Sequence, residues 1–173
     1  MGDPRVPFAE PTAAQMERLR ELGMPEPINL YRILANQPDF LRVWVEMAWT
    51  LRLAAKTPRR LRELMITRGA EVMVCGYEYG HHRRMALAAG VSEIELAELG
   101  HWRRSGLFSP PERAALAFME SVLEGSVPDA VAAELARHFD AAERVELTLT
   151  AGFYAMVPRV VDALGVPPES LVP

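Results

Sequence analysis

The chain has 173 residues, 50% hydrophobic and 24% charged, enough to bury roughly two-thirds of its unfolded surface without disulfides or a structural metal. Nineteen basic residues against 23 acidic ones give a formal net charge of −4, which offers no long-range attraction to nucleic acid or to an anionic membrane. The longest uncharged run, Leu147 to Pro158, is far shorter than the ~20 apolar residues of a membrane span, and Met1 to Pro7 shows no basic-then-apolar signal region. Cys75 is the only cysteine, so no intrachain disulfide can form and a cytoplasmic, reducing compartment is expected.

Residues 1–11 carry Pro4, Pro7 and Pro11 and no periodicity; they read as an extended arm, disordered or laid over a neighbour, ahead of one domain over 12–173. Thr12 and Gln15 form a capping-box signature for a helix that stops at Gly23. After the Pro25–Pro27 turn, Asn29 is placed to cap a short helix over Leu30, Ile33 and Leu34. Beyond Pro38, the spacing of Leu41, Val45, Ala48, Trp49 and Leu53 predicts a buried helical face. Pro58 starts a helix with Leu61, Leu64 and Met65 on its apolar side, and another runs from about Cys75 to Ala89, ending at Gly90. Ser92–Glu95, Ser109–Glu112 and Asp140–Glu143 are three further capping boxes, and the last helix should bend near Pro158. No stretch alternates long enough to argue a strand. The predicted fold class is all-α.

Two segments echo each other: Glu63 to Val74 aligns with Glu146 to Val157, with Glu, Leu, Thr, Gly, Met and Val coinciding. Only the first leads into a chemically equipped sequence. There Cys75, Glu78 and His82 sit at i, i+3 and i+7, which places them on one narrow stripe of a helix. Each has an ordinary account: a lone cysteine as a small buried hydrophobe, Glu78 paired with an arginine such as Arg83, His82 as a satisfied core histidine. His81 points about 100° away, so the two histidines form no metal clamp, and neither a metal nor a cofactor is expected. Arg59–Arg60 and Arg83–Arg84 read as solvated runs with a pairing to acids left open, His101 to Arg104 as a polar loop anchored by Trp102, and Trp44 and Trp49 as packing residues.

Glu63, Cys75, Glu78 and His82, with the following Ala-Leu-Ala-Ala-Gly-Val-Ser-Glu-Ile-Glu run, resemble the carboxymuconolactone decarboxylase family, which includes the alkylhydroperoxidase D-like proteins. Asn29 to Asn36 and Ala151 to Met156 are similar to its decarboxylase-like branch, so the resemblance spans about residues 28–167. It implies an alkylhydroperoxidase D-like helical bundle, assembled as a homo-oligomer (trimeric or dimer-based), with Glu63, Cys75, Glu78 and His82 as site residues and a small molecule as substrate. In the hydroperoxidase branch two cysteines form the redox pair. Here Glu78 stands where the second would be, and no other cysteine can resolve an oxidised Cys75.

Two chemistries follow. One is cofactor-independent acid–base catalysis, a decarboxylation or isomerisation of a small unsaturated acid or lactone. His82 or Glu78 would carry the proton, Glu63 would orient it, and Arg68 or Arg83 would be available for a substrate carboxylate. The other is peroxide reduction by the single thiol Cys75, favoured by the helix N-terminus, opposed by the nearby Glu78 carboxylate, and dependent on an external reductant. A non-catalytic helical oligomer is the third reading.

Overall fold

The computed structural model describes residues 4–169. Among them the chain forms nine α-helices and no strand: α1 (Ala13–Glu21), α2 (Asn29–Leu34), α3 (Pro38–Leu53), α4 (Arg59–Val72), α5 (Gly76–Ala88), α6 (Glu93–Glu98), α7 (Pro110–Glu124), α8 (Asp129–His138) and α9 (Ala141–Leu164). A 3-10 turn over Leu99–His101 follows α6. The chain divides into two compact units, one of Met1–Ala54 with Arg159–Pro173, the other of Ala55–Pro158.

The capping signatures act as written. Thr12 accepts from Gln15 N, and Gln15 returns the bond to Thr12 N. Ser92 with Glu95, and Asp140 with Glu143, make the same reciprocal pair, and Glu112 takes the backbone N–H and hydroxyl of Ser109. Each satisfies N–H groups that a helix start leaves without intrahelical partners. Gly23, Gly90 and Gly125 end their helices at positive φ, where a side chain would be strained.

In the first unit, α3 buries Leu41, Val45, Ala48 and Leu51. Leu53 was expected on that face but is 67% exposed. At 100° per residue it lies 120° around from Leu41, whereas Leu51 continues the buried stripe. Asn29 does not cap α2 with its side chain. Its amide instead donates to the carbonyls of Pro167 and Pro168, and Ile28 occupies the cap. The arm over the described residues 4–11 is extended and lies on its own chain. Arg5 N donates to Leu164 O, Ala9 N to Arg32 O and Asn36 Nδ2 to Pro7 O, and the Arg32 guanidinium covers the Phe8 ring. Its first three residues lie outside those described.

In the second unit α4 is the central element. It is buried nearly all round, from Leu61 to Thr67 and again at Gly69 and Ala70, and it packs along α5 and α7. Leu64, Ala86, Val91, Leu96, Leu99, Trp102, Phe108 and Leu116 form its core. Trp102 anchors the polar loop as expected, donating from its indole N–H to Glu120 at 2.9 Å. Of the two readings of the Arg59–Arg60 run, the structure shows the acid-pairing one. Arg60 bridges the capping glutamates Glu95 and Glu112 and donates to Gly90 O, tying the starts of α6 and α7 to α4. That contact and the Ser92 bonds hold the Glu95 carboxyl down at about 2.

Candidate active site

The site begins with a helix break. Val74 N donates to Glu71 O and Cys75 N to Ala70 O, the paired bonds that close a helix when the intervening residue turns left-handed. That residue is Val74, at φ 53°, a conformation that glycine adopts freely and a β-branched side chain does not. Cys75 then becomes the N-cap of α5, its carbonyl accepting from Tyr79 N. It makes no disulfide and is half-buried. One turn on, Glu78 is buried, and one turn further so is His82, while Cys75 itself stands at the cap in extended backbone.

α4 delivers the opposing group. Glu63 is fully buried, and its Oε2 lies 2.7 Å from His82 Nδ1. Its other oxygen is ion-paired with Arg59, one turn earlier on α4. An ionised Glu63 held by Arg59 accepts from Nδ1–H, and this leaves Nε2 to face Glu78 Oε2 at 3.4 Å. The two sides of the imidazole therefore differ. The contact to Glu63 is short and charge-assisted, while that to Glu78 is long and loosely held. The arrangement runs Arg59–Glu63–His82–Glu78, with the guanidinium of Arg59 against Glu63.

Three further residues frame the line. The Tyr154 ring stands edge-on to His82 with centroids 4.8 Å apart. Met85 Sδ lies 3.5 Å from Arg59 Nη2. Arg62 is buried and donates to the carbonyl and hydroxyl of Thr57. Burial, and next the charge of Arg59, hold its guanidinium below the usual arginine range. Glu146 accepts from Lys56 N and Thr57 N; burial raises its carboxyl, but these bonds and Arg62 bring it below the ordinary value.

Glu63, Glu78 and His82 are thus brought into one cluster, with Cys75 a turn before Glu78. Arg68 and Arg83 take other roles: Arg68 binds Glu71 and Glu120, and Arg83 binds Glu93. Sequence reasoning left acid pairing open for Arg59 and quoted Tyr154 in a family-like stretch, but placed neither beside Glu63 and His82. The signal for Arg59 was its i, i+4 spacing to Glu63. The His81 ring is tilted at 51° to that of Tyr77, with centroids 4.8 Å apart, and its Nδ1 lies 3.2 Å from Arg84 Nη2. Among the described residues no three His, Cys, Asp or Glu side chains converge as a metal-ligand set, and no helix is long and apolar enough to cross a membrane.

Known proteins share this framework. Uncharacterized protein YnjA of Escherichia coli (strain K12) is 32% identical over 134 residues, 76% of this chain and 74% of that one. The debrominase Bmp8, solved as a cysteine-to-alanine variant in complex with 2,3,4-tribromopyrrole, superposes with a TM-score of 0.79 at 16% identity, covering 97% of this chain and 95% of that one. An uncharacterized peroxidase-related protein from Ralstonia eutropha JMP134, described as an alkylhydroperoxidase AhpD core, gives 0.76 at 18% identity over 98% and 94% of the two chains. These structural likenesses establish the alkylhydroperoxidase D-like fold. The model of the carboxymuconolactone decarboxylase family matches residues 38–121, across α3 to α7 and the whole Glu63–Cys75–Glu78–His82 constellation. The chain belongs to the carboxymuconolactone decarboxylase family.

Proposed function

We propose that the chain is a cofactor-independent acid–base enzyme acting on a small unsaturated carboxylic acid or lactone, by decarboxylation or isomerisation. The observation that carries this reading is the buried Glu63–His82–Glu78 line, with a tight bond on one side of the imidazole and a loose one on the other. Glu63 is fully enclosed and positions the ring; Glu78, at the loose end, exchanges the proton with substrate. In a decarboxylation the C–C bond to the carboxylate breaks and CO2 leaves with its oxygens. The electron pair remains as a conjugated enolate, and Glu78 protonates the carbon. A proton from water, relayed through His82, then restores Glu78. In an isomerisation the same groups remove a proton from one carbon and return it to another. Each positioned acid or base contributes roughly 10²–10⁴-fold.

A screen of unsaturated acids, lactones and organic hydroperoxides against wild type, Cys75→Ala, Glu78→Gln and His82→Gln tests this. The expected pattern is turnover of acids or lactones that survives Cys75→Ala and collapses in the other two. One observation favours a second reading: Cys75 stands at the N-cap of a thirteen-residue helix, where the dipole promotes thiolate. There the thiolate would attack a hydroperoxide, breaking the O–O bond to give alcohol and sulfenic acid. Two external thiols would then return the cysteine, releasing disulfide and water. Peroxide consumption that needs a thiol and vanishes with Cys75→Ser would establish that reading instead.

We further propose that the chain works as a homo-oligomer, trimeric or dimer-based. Phe40, Val43 and Leu53 of α3 are left exposed, which supports an association face. A sedimentation mass near the 19.3 kDa of one chain would overturn this.

A further inference from the structure

We propose that Thr67 is a substrate-binding residue, whose buried hydroxyl donates to the carbonyl oxygen of the substrate beside the carbon that Glu78 protonates. This rests on the acid–base reading above and narrows its substrate to a carbonyl compound met by a neutral donor.

Thr67 of α4 has no exposed surface, and its Oγ1 is buried with no hydrogen-bond partner. Such a group costs stability, and a helical threonine has a simple remedy: the right rotamer donates to the carbonyl four residues earlier. Elsewhere in the same unit that bond is made. Thr148 donates to Arg144 O at 2.7 Å, and Ser121 to Ala117 O at 3.0 Å. Thr67 makes no such bond to Glu63 O. Left so in a packed core, its hydroxyl is poised for a partner outside the chain.

The register of the two helices says which partner. α4 and α5 run antiparallel on either side of the break at Val74, and three contacts align them: Arg59 meets Met85, Glu63 meets His82, and Ala70 O takes Cys75 N. Each turn forward on α4 is a turn back on α5. Thr67, one turn beyond Glu63, therefore falls level with Glu78, one turn before His82. Burial deepens along the same seam: Val74 is exposed and Cys75 half-buried, while Glu78, His82 and Glu63 are buried. A ligand arriving past Cys75 thus reaches the level of Thr67 and Glu78 first. There α5 supplies the proton for carbon and α4 a hydrogen bond for oxygen. As the enolate forms, charge gathers on that oxygen and the bond strengthens, which is where a preorganised donor lowers a barrier.

Thr150 is a built-in control. It occupies the matching place in the second stretch, and its Oγ1 is likewise buried without a partner. On α9, however, it lies between Glu146, which binds the backbone of Lys56 and Thr57, and Tyr154, which meets His82. That is the Arg59 end of the arrangement, away from Glu78.

The test is infrared difference spectroscopy of δ-valerolactone, isotopically labelled at its carbonyl carbon and lacking an alkene, with wild type, Thr67→Val, Thr67→Ser and Thr150→Val. Expected is a carbonyl stretch moved to lower frequency by wild type, Thr67→Ser and Thr150→Val, with that shift lost in Thr67→Val. Valine keeps the shape of threonine without the hydroxyl, so both valine variants should melt at the wild-type temperature or about 2–4 °C above it. On any acid or lactone that wild type converts, Thr67→Val should lower kcat by about 10²-fold with KM within a few-fold. No shifted carbonyl in wild type, a shift that persists in Thr67→Val, one that is lost in Thr67→Ser or Thr150→Val, or a lowered melting temperature in Thr67→Val would each overturn the proposal. The spectrum reads no turnover, so the two ideas fail separately. A shift that depends on Thr67 while no acid or lactone is converted removes the acid–base reading and leaves Thr67 its carbonyl. Acids or lactones converted equally well by Thr67→Val keep that reading and remove Thr67 from it.

Discussion

Two stretches of nearly matching sequence, Glu63 to Val74 and Glu146 to Val157, are built to opposite ends. Both are helical and both begin with a glutamate that binds inward. Glu63 turns its carboxylate to two side chains, His82 and Arg59, and so becomes part of a titratable line. Glu146 gives its oxygens to the backbone N–H groups of Lys56 and Thr57 and secures the entry to α4. The second stretch continues as helix through Pro158 to Leu164, with Val157 buried. The first breaks at Val74, which is left-handed and 89% exposed. Neither packing nor local preference favours a valine there. The break nevertheless places Cys75, Glu78 and His82 on a new helix that returns along α4. The left-handed backbone and the buried Glu63–His82 contact coincide in one stretch and have no counterpart in the other.

The sharpest way to break this comparison is to make the same change in both glutamates. Glu63→Gln should cut turnover by roughly 10²–10⁴-fold, because the amide can no longer accept and hold Nδ1–H as a charged partner. Glu146→Gln should leave kcat within a few-fold and lower stability by about 1 kcal/mol, the worth of a helix-entry cap. Steady-state kinetics and thermal unfolding on both variants decide it; equal loss of activity would mean the two copies share the chemistry.

The valines come next. Val157→Ala removes buried methyl groups and should cost about 2 kcal/mol. Val74→Gly relieves a left-handed β-branched residue, a gain of about 1–2 kcal/mol, less about 0.5–1 kcal/mol for the flexibility glycine adds to the unfolded chain. Opposite signs in denaturant midpoints are expected. A destabilised Val74→Gly would show that the side chain is covered in solution.

Acid separates the copies in a third way. Glu146 is held below its ordinary carboxyl value, so its contribution is complete above the unfolded value near ~4.3 and is lost as pH falls through the folded one. The stability difference between wild type and Glu146→Gln should therefore shrink from pH 6 downward through the range below ~4.3. A difference that stays constant across that range would remove the carboxylate from the account.

What could be read in advance follows from range. The capping boxes at Thr12, Ser92, Ser109 and Asp140 are local, three residues wide, and each formed as its residues dictate. The Cys75–Glu78–His82 stripe is likewise a matter of helical period, and Glu63 came with the family resemblance. The partner of Arg59 and the place of Tyr154 were not legible, for different reasons. Arg59 sits in a basic pair that resembles any solvated surface, and only folding shows that one member turns to Glu63 while Arg60 turns to Glu95 and Glu112. Tyr154 reaches His82 from a helix more than seventy residues away, a contact no spacing rule encodes. The end of α3 misled because Leu53 continued an apolar pattern while the helix had already turned Leu51 inward.

The smallest expected effect is the most local. Gly69 and Gly152 occupy matching places in the two stretches, and both interrupt a helix with the least favourable non-proline residue. Alanine at either site gains about 1 kcal/mol of helix propensity. At Gly152 an added Cβ meets nothing within 4 Å, so that gain is unopposed and the melting temperature should rise by about 2–4 °C. At Gly69 the Cβ would overlap the terminal methyl of Met119, a residue of α7 with no exposed surface. That methyl ends a flexible side chain, so it can move, but in a filled core the displacement costs about 1–3 kcal/mol. Gly69→Ala should thus be neutral to destabilising while Gly152→Ala stabilises. An equal rise in both would mean that α4 and α7 are not as close as Gly69 allows them to be. The glycine would then have no packing role, and the backbone contrast between the two stretches would rest on the break at Val74.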